Sequence, residues 1–258
     1  MFDVFLDIFT YRDNALRRMD ARAKLVAALA TILAVILSHR IVLPLAVVVF
    51  CVGTMLALRL PPRLILLRLS VPLGVALVLL VLQSLMIGST PLAVFHVGGW
   101  RITAMREGAA LGLLIGSRVL GAVSAMLLLS SSTPAYEIFR ALRWFRFPRD
   151  WVEIAMLMYR YTFALLDMAD DIESAQRVRL GYSGLGRSMS SLGVLAGSII
   201  VGSIDQAART QDAMVLRGYR GYMPFGPMRA MRPADKWLVA AALFAVAAGY
   251  LAAEMRWV

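Results

Sequence analysis

Five stretches of the chain are apolar for close to the length of a bilayer crossing: Leu25 to Ser38, Ile41 to Leu58, Leu69 to Ile87, Gly108 to Ser130 and Trp237 to Ala253. A hydrocarbon core about 30 Å thick asks for about 20 such residues per helix. The first stretch is short and must draw on residues 20–24 or sit tilted beside its neighbour. The pattern predicts an all-α polytopic membrane protein with about five transmembrane helices and two to three cytoplasmic helices between the fourth and the fifth. Three regions follow: residues 1–130 with four spans, residues 131–236 between them, and residues 237–258 with the last span.

The long middle region does not read as a loop. It opens with SSSTPAYEIFRALRWF, where Ser132 or Thr133 can cap a helix, Pro134 suits the first helical position and Glu137 completes a capping-box pattern. Phe139, Leu142 and Phe145 form a stripe flanked by Arg140 and Arg143, as on a helix lying in the membrane interface, and Pro148 ends it. The next helix starts near Asp150 with Trp151, Ile154, Met158, Tyr161, Leu165, Met168, Ile172 and Ala175 spaced by threes and fours. Glu153, Arg160, Asp167, Asp170, Asp171 and Glu173 lie off that stripe, so this helix is too charged to span. Gly181 and Gly184 are expected to stop it. A third helix is expected from about Met189 to Leu216. Its uncharged part, residues 188–204, is slightly short for a span, and Gly193, Gly197 and Gly202 would let another helix approach. It reads as a packed, non-spanning helix.

Both of these helices end alike, in RLGYSG from Arg179 and LRGYRG from Leu216. A cation in the last turn suits the negative end of the helix dipole, and glycine beyond it suits a sharp stop. A single instance needs no more than that. Two copies within forty residues point to a duplicated docking tip, since a guanidinium fork is suited to pairing with carboxylates on a partner.

Composition and charge then fix the class and an orientation. Of 258 residues 60% are hydrophobic, and 27 Lys and Arg face 16 Asp and Glu, for a net charge of +11. No soluble domain of this size would normally combine these values. The positive charge gathers at Arg12, Arg17, Arg18, Arg22 and Lys24, at Arg59, Arg63 and Arg68, and from Arg140 to Arg232, whereas the alternate connections hold only Arg40 and the pair Arg101 and Arg106. With five spans, all three basic regions fall on one side, which puts the amino terminus in the cytoplasm and the carboxyl terminus outside. The excess charge is a topology signal, and no aromatic-basic groove points to nucleic acid. The start, MFDVFLDIFTYRD, interleaves Asp3 and Asp7 and has no small-residue cleavage site, so no removable signal is expected. The single Cys51 lies in an apolar run and reads as a small buried hydrophobe.

With these residues in view, the chain resembles the transmembrane T component of energy-coupling-factor (ECF) transporters, and most closely the CbiQ family of cobalt and nickel permeases. The resemblance rests on MDARAKL before the first span, on PRDWVEIAMLMYRYTFALLDMADDIESAQRVRLGYSG, and on QDAMVLRGYRG. In that family two cytoplasmic coupling helices each end in Ala-Arg-Gly or a relaxed form of it, which inserts into a groove on one of two ATPase subunits. The matching residues are Val178, Arg179 and Leu180 in the first motif and Leu216, Arg217 and Gly218 in the second, with Gly181, Tyr182 and Tyr219 as helix-stop or docking support. Neither motif has the alanine, and the first lacks the glycine. The resemblance implies a coupling subunit in the bacterial inner membrane, working with a CbiO-like ATPase pair and a CbiM-like substrate-binding membrane subunit, with room for a small CbiN-like one. ATP and Mg²⁺ would belong to the ATPases, Co²⁺ or Ni²⁺ to the substrate-binding subunit, and no cofactor to this chain.

The chemistry carried by the residues agrees with a non-catalytic role. The sequence has no G-x-x-x-x-G-K-[ST] phosphate loop. Its two imidazoles, His39 and His96, stand in loops on the expected outer side with no cysteine or carboxylate cluster near them. Met156, Met158 and Met168 sit at helix-packing positions. Arg118, inside the fourth span, must face protein, either in a functional contact or bonded to carbonyls. The rival reading is a membrane prenyl or phosphatidyl transferase holding Mg²⁺ through Asp167, Asp170 and Asp171, although such sites need a second aspartate cluster, which the sequence lacks.

Overall fold

The computed structural model of the protein describes residues 19–58, 60–88, 90–97, 100–221 and 233–254. Arg12, Arg17, Arg18, Arg59 and the basic segment 222–232 lie outside these. Eight helices and one β-hairpin are found among the described residues: α1 (Ala21–Leu37), α2 (Val42–Ala57), α3 (Pro62–Met86), β1 (Pro91–Val97), β2 (Trp100–Met105), α4 (Arg106–Ser132), α5 (Ala135–Trp144), α6 (Arg149–Val178), α7 (Leu185–Leu216) and α8 (Pro233–Glu254). They divide into two compact units: residues 19–138 with 233–254, and residues 139–221.

In the first unit, α1, α2, α3, α4 and α8 correspond to the five expected spans. The short first span gains its length at its start, where the Asp20 carboxylate accepts from the Arg22 amide and caps the helix. α3 and α4 are antiparallel neighbours in direct backbone contact. A Cβ placed on Gly108 would come within 2.4 Å of the Ile87 carbonyl oxygen and one on Gly112 within 2.7 Å of the Leu80 Cα, so only glycine permits the approach. The β-hairpin joining these helices was not foreseen. β1 pairs antiparallel with β2, Val97 opposite Trp100 and His96 opposite Arg101. Its signal lay in the sequence, as a Gly-Gly pair between runs of β-branched and aromatic residues.

Two cations tie α1 to α4. The Lys24 ammonium donates to the Ser132 carbonyl at 3.1 Å, and Arg118 donates from Nε at 3.0 Å and from a terminal nitrogen at 2.6 Å to the Ser38 carbonyl. Each accepting carbonyl stands at a helix C-terminus, where the last carbonyls lack helical partners and the dipole is negative. Each helix therefore caps the other. Both pairs fall in one antiparallel register, with Val35 buried against Gly121 between them. Arg118 thus has a structural partner, which settles its place in the span. His39 is exposed in the turn beside it.

The start of the middle region differs from expectation. Ser131 and Ser132 remain helical in α4, Thr133 is the buried C-cap of that helix, and Pro134 precedes α5 instead of occupying its first position. The Pro134 carbonyl accepts from the Glu137 and Ile138 amides in place of a hydroxyl cap. The Glu137 carboxylate accepts from the Tyr136 hydroxyl.

In the second unit, α6 and α7 form a long antiparallel pair. Phe139 and Tyr159 meet edge to face at 6.0 Å, and Tyr159 and Phe163 at 5.1 Å, which packs the end of α5 on α6. The apolar stripe of α6 divides into two parts. Tyr161 and Met168 meet α7, through a hydrogen bond to Thr210 and contact at Gly202, whereas Trp151, Ile154 and Met158 are exposed. Gly202 allows the close approach expected of it. Gly193 and Gly197 instead face open space.

Candidate functional site

The two arginine endings adopt one geometry. Arg179 is the C-cap of α6 with φ −84° and ψ 13°, and Arg217 is the C-cap of α7 with φ −85° and ψ 8°. After Arg179 the Leu180 amide donates to the Arg177 carbonyl at 3.1 Å and the Gly181 amide to the Gln176 carbonyl at 2.9 Å. After Arg217 the Gly218 amide donates to the Val215 carbonyl at 2.9 Å and the Tyr219 amide to the Met214 carbonyl at 2.9 Å. Both are complete Schellman motifs, which reverse the chain in one residue and leave the capping side chain outside.

The reversal needs a left-handed residue straight after the arginine. Gly218 supplies it in the second motif, at φ +81°. In the first motif Leu180 takes the same role, at φ +55°. The expected stop at Gly181 is therefore displaced by one position, and Gly184 serves as the extended N-cap of α7. An L-residue in this region costs about 1–2 kcal/mol. Glycine after the arginine is thus the residue that the turn favours, and this chain lacks it at one of two tips.

Gly181 is needed for a different reason. A Cβ there would lie 2.6 Å from the Ser191 hydroxyl, which donates to the Gly181 carbonyl. The Gln176 amide donates to the Ser191 carbonyl at 2.9 Å and accepts from the Tyr182 hydroxyl at 2.7 Å. These bonds pin the end of α6 to the start of α7. Tyr182 thereby belongs to an internal clasp, with its ring 5.7 Å from the Arg177 guanidinium. Arg177 also bonds to Glu173 at 2.9 Å, and that carboxylate raises the guanidinium pKa further above its usual value. Tyr219 contributes through its backbone amide.

The tips themselves are solvent-facing. Val178 is 85% exposed and Leu216 88%, each immediately before an exposed arginine. Each tip is therefore an aliphatic knob beside a guanidinium. Among the described residues, no ion pair holds Arg179 or Arg217. Because α6 and α7 run antiparallel, the tips stand at opposite ends of the pair. Arg217 lies beside Leu157 and Arg160, about 20 residues before Arg179 on α6, which separates the tips by roughly 30 Å at 1.5 Å per residue.

Asp167, Asp170 and Asp171 do not make a metal centre. Among the described residues no three His, Cys, Asp or Glu side chains are grouped so as to hold an ion.

Among the described residues α3, α4 and α7 are long and apolar enough to cross a membrane, and helices of this kind define a multi-pass membrane protein. Residues 12–225 match the family profile described as CbiQ, cobalt transport protein. The chain belongs to the CbiQ family and is a membrane component of cobalt transport, not itself an enzyme. It is 31% identical over 211 residues to an uncharacterised protein of Methanocaldococcus jannaschii, covering 81% of this chain and 78% of that one. It is 28% identical over 216 residues to a fused cobalt transport protein CbiMQ of Methanocorpusculum labreanum, covering 81% of this chain and 36% of the fusion. The cobalt transport protein CbiQ of Rhodobacter capsulatus is 32% identical over 125 residues, 48% of this chain and 50% of that one.

Proposed function

We propose that the chain is the coupling subunit of an ECF-type importer for cobalt or nickel, and that Arg179 and Arg217 dock it to a pair of CbiO-like ATPase subunits. The observation that carries this reading is the repeated tip: the same Schellman turn, the same arginine at the C-cap and an exposed aliphatic residue before it. A knob with one fixed cation suits a groove that offers a carboxylate. The separation of the tips suits two grooves on two subunits. ATP and Mg²⁺ would be held there, and the transported ion by a CbiM-like membrane subunit, with a CbiN-like subunit as a further companion. The fused CbiMQ relative supports the CbiM-like partner, since its name joins the two in one chain.

In this reading α6 and α7 lie at the cytoplasmic face. α7 is long and apolar enough to cross a membrane by length and composition. Its uncharged stretch, 188–204, has 17 residues, about 25 Å of helix, and runs beside the part of α6 that carries Asp167, Asp170 and Asp171. Three carboxylates beside that stretch disfavour a lipid-buried pair. The exposed apolar residues of both helices, among them Met158, Ile200 and Ile204, would meet the bilayer surface and the membrane partner. The amino terminus is then cytoplasmic and the carboxyl terminus outside, in the inner membrane. Movement of the tips with the nucleotide state would shift the helix pair between two arrangements.

The test is reconstitution in liposomes with the ATPase pair and the substrate-binding subunit. ATP-dependent accumulation of radioactive cobalt that disappears when this chain is left out is expected. Equal accumulation without it would overturn the reading.

A further inference from the structure

At the end of the α6–α7 pair distant from Arg179, the two helices enclose an open cleft of about 380 Å³. α7 lines it with Gln206, Arg209, Thr210, Ala213 and Arg217, spaced by threes and fours along one face, and α6 closes it with Arg160 and Tyr161. Three guanidinium groups share the cleft, and no carboxylate lines it. Among the described residues none of the three is ion-paired; Arg209 bonds to the Gln206 side-chain carbonyl at 3.2 Å, and Arg160 rests 5.9 Å from the Tyr161 ring centre. Like charges gathered without a counter-charge oppose one another until an anion arrives.

We propose that this cleft binds a phosphoryl group, held by Arg160, Arg209 and Arg217 together with the Tyr161 hydroxyl, which Thr210 orients. The hydroxyl pair can serve such a ligand. Thr210 Oγ1 lies 2.7 Å from the Gln206 carbonyl and 2.8 Å from the Tyr161 hydroxyl, and its single proton can go to either. When it goes to Tyr161, the phenolic proton is free to donate into the cleft. Three forked guanidinium groups and a phenol offer more donors, and more charge, than one carboxylate can use, whereas a phosphoryl group brings several oxygens and up to two negative charges. The group can belong to an anionic phospholipid or to a soluble phosphate compound; both present the same oxygens. The inference stands apart from the coupling reading, because Arg160 and Arg209 are not part of either tip. Arg217 is common to both, so a bound phosphoryl group would hold the second tip back from any partner.

The experiment uses the full chain, delipidated in a neutral detergent. Pyrophosphate binding is followed by equilibrium dialysis, and retention of phosphatidylglycerol over phosphatidylcholine by native mass spectrometry after passage through mixed nanodiscs. At least one probe is expected to bind, and Arg160→Gln with Arg209→Gln to weaken it about tenfold or more. Arg187→Gln, an exposed arginine near the other end of α7, should leave it unchanged. Phosphatidylglycerol retention without pyrophosphate binding assigns the lipid source, and pyrophosphate binding without lipid preference assigns the soluble one. Should the double variant fail to fold by circular dichroism, Arg209→Gln alone, at an exposed position, carries the same test. Binding of neither probe by the unaltered chain, undiminished binding by the folded double variant, or an equal loss of binding on Arg187→Gln alone would overturn the proposal.

Discussion

Replacing Gly218 with alanine isolates the backbone term that shapes the second tip. A Cβ at 218 would meet nothing within 4 Å, so no steric contact enters, and the φ of +81° is the whole penalty. Forcing an L-residue there costs about 1–2 kcal/mol. The Schellman turn opens more readily by that amount, and at 1.4 kcal/mol per factor of ten the protection of the amides at 218 and 219 should fall about 5- to 30-fold. Gly197→Ala is the matched control. It too faces open space, but lies inside α7 without a positive φ, so alanine should favour the helix by about 0.5–1 kcal/mol and raise local protection two- to fivefold. Hydrogen exchange of the detergent-solubilised chain, read peptide by peptide, measures both. The same chemical change should act in opposite directions at two glycines, one inside α7 and one just past its end. Equal shifts of the same sign would refute the claim that the left-handed position defines the tip.

Leu180→Gly should firm the first tip by up to about 1 kcal/mol, visible as slower exchange at residue 181, because it relieves the left-handed leucine, whose side chain is 66% exposed. Arg118→Met removes two charged hydrogen bonds from a fully buried C-cap residue, and should lower the unfolding free energy in detergent by about 1.5–3 kcal/mol, with Arg118→Lys recovering part of the loss. Asp167, Asp170 and Asp171 changed together to Asn should leave cobalt uptake in reconstituted liposomes within about twofold; abolished uptake would give these carboxylates a role that the structure does not show.

A helix stands at each of the five predicted stretches because a helix in lipid must be apolar over a fixed length, and among the described residues α3 and α4 meet that length in full. Four of the five helices extend beyond the predicted stretches at both ends or at the start, through residues such as Arg106 and Pro62 that a search for apolar runs leaves out. The arginine endings were legible too, since a cation followed by glycine is a helix-end signal in its own right. Which residue turns the chain was not. Leucine is a poor left-handed residue, so propensity points to Gly181, while the hydrogen bonds from 180 and 181 place the turn one residue earlier. The mutual capping of α1 and α4 was equally hidden. Lys24 was read with the basic residues that mark one side of the membrane, and only the antiparallel register shows that its ammonium meets the Ser132 carbonyl. The arginine cleft arises from residues some fifty positions apart on two helices, a distance that no local pattern spans.

The central claim is that two guanidinium tips hold the chain to an ATPase pair. The most direct measurement is co-purification of tagged CbiO-like ATPase with the chain carrying Arg179→Ala and Arg217→Ala together, after confirming that the variant is still inserted in the membrane. Loss of a buried, charge-assisted partner costs about 2–5 kcal/mol at each tip, so the account predicts that the ATPase is no longer retained. Retention equal to that of the unaltered chain would contradict it.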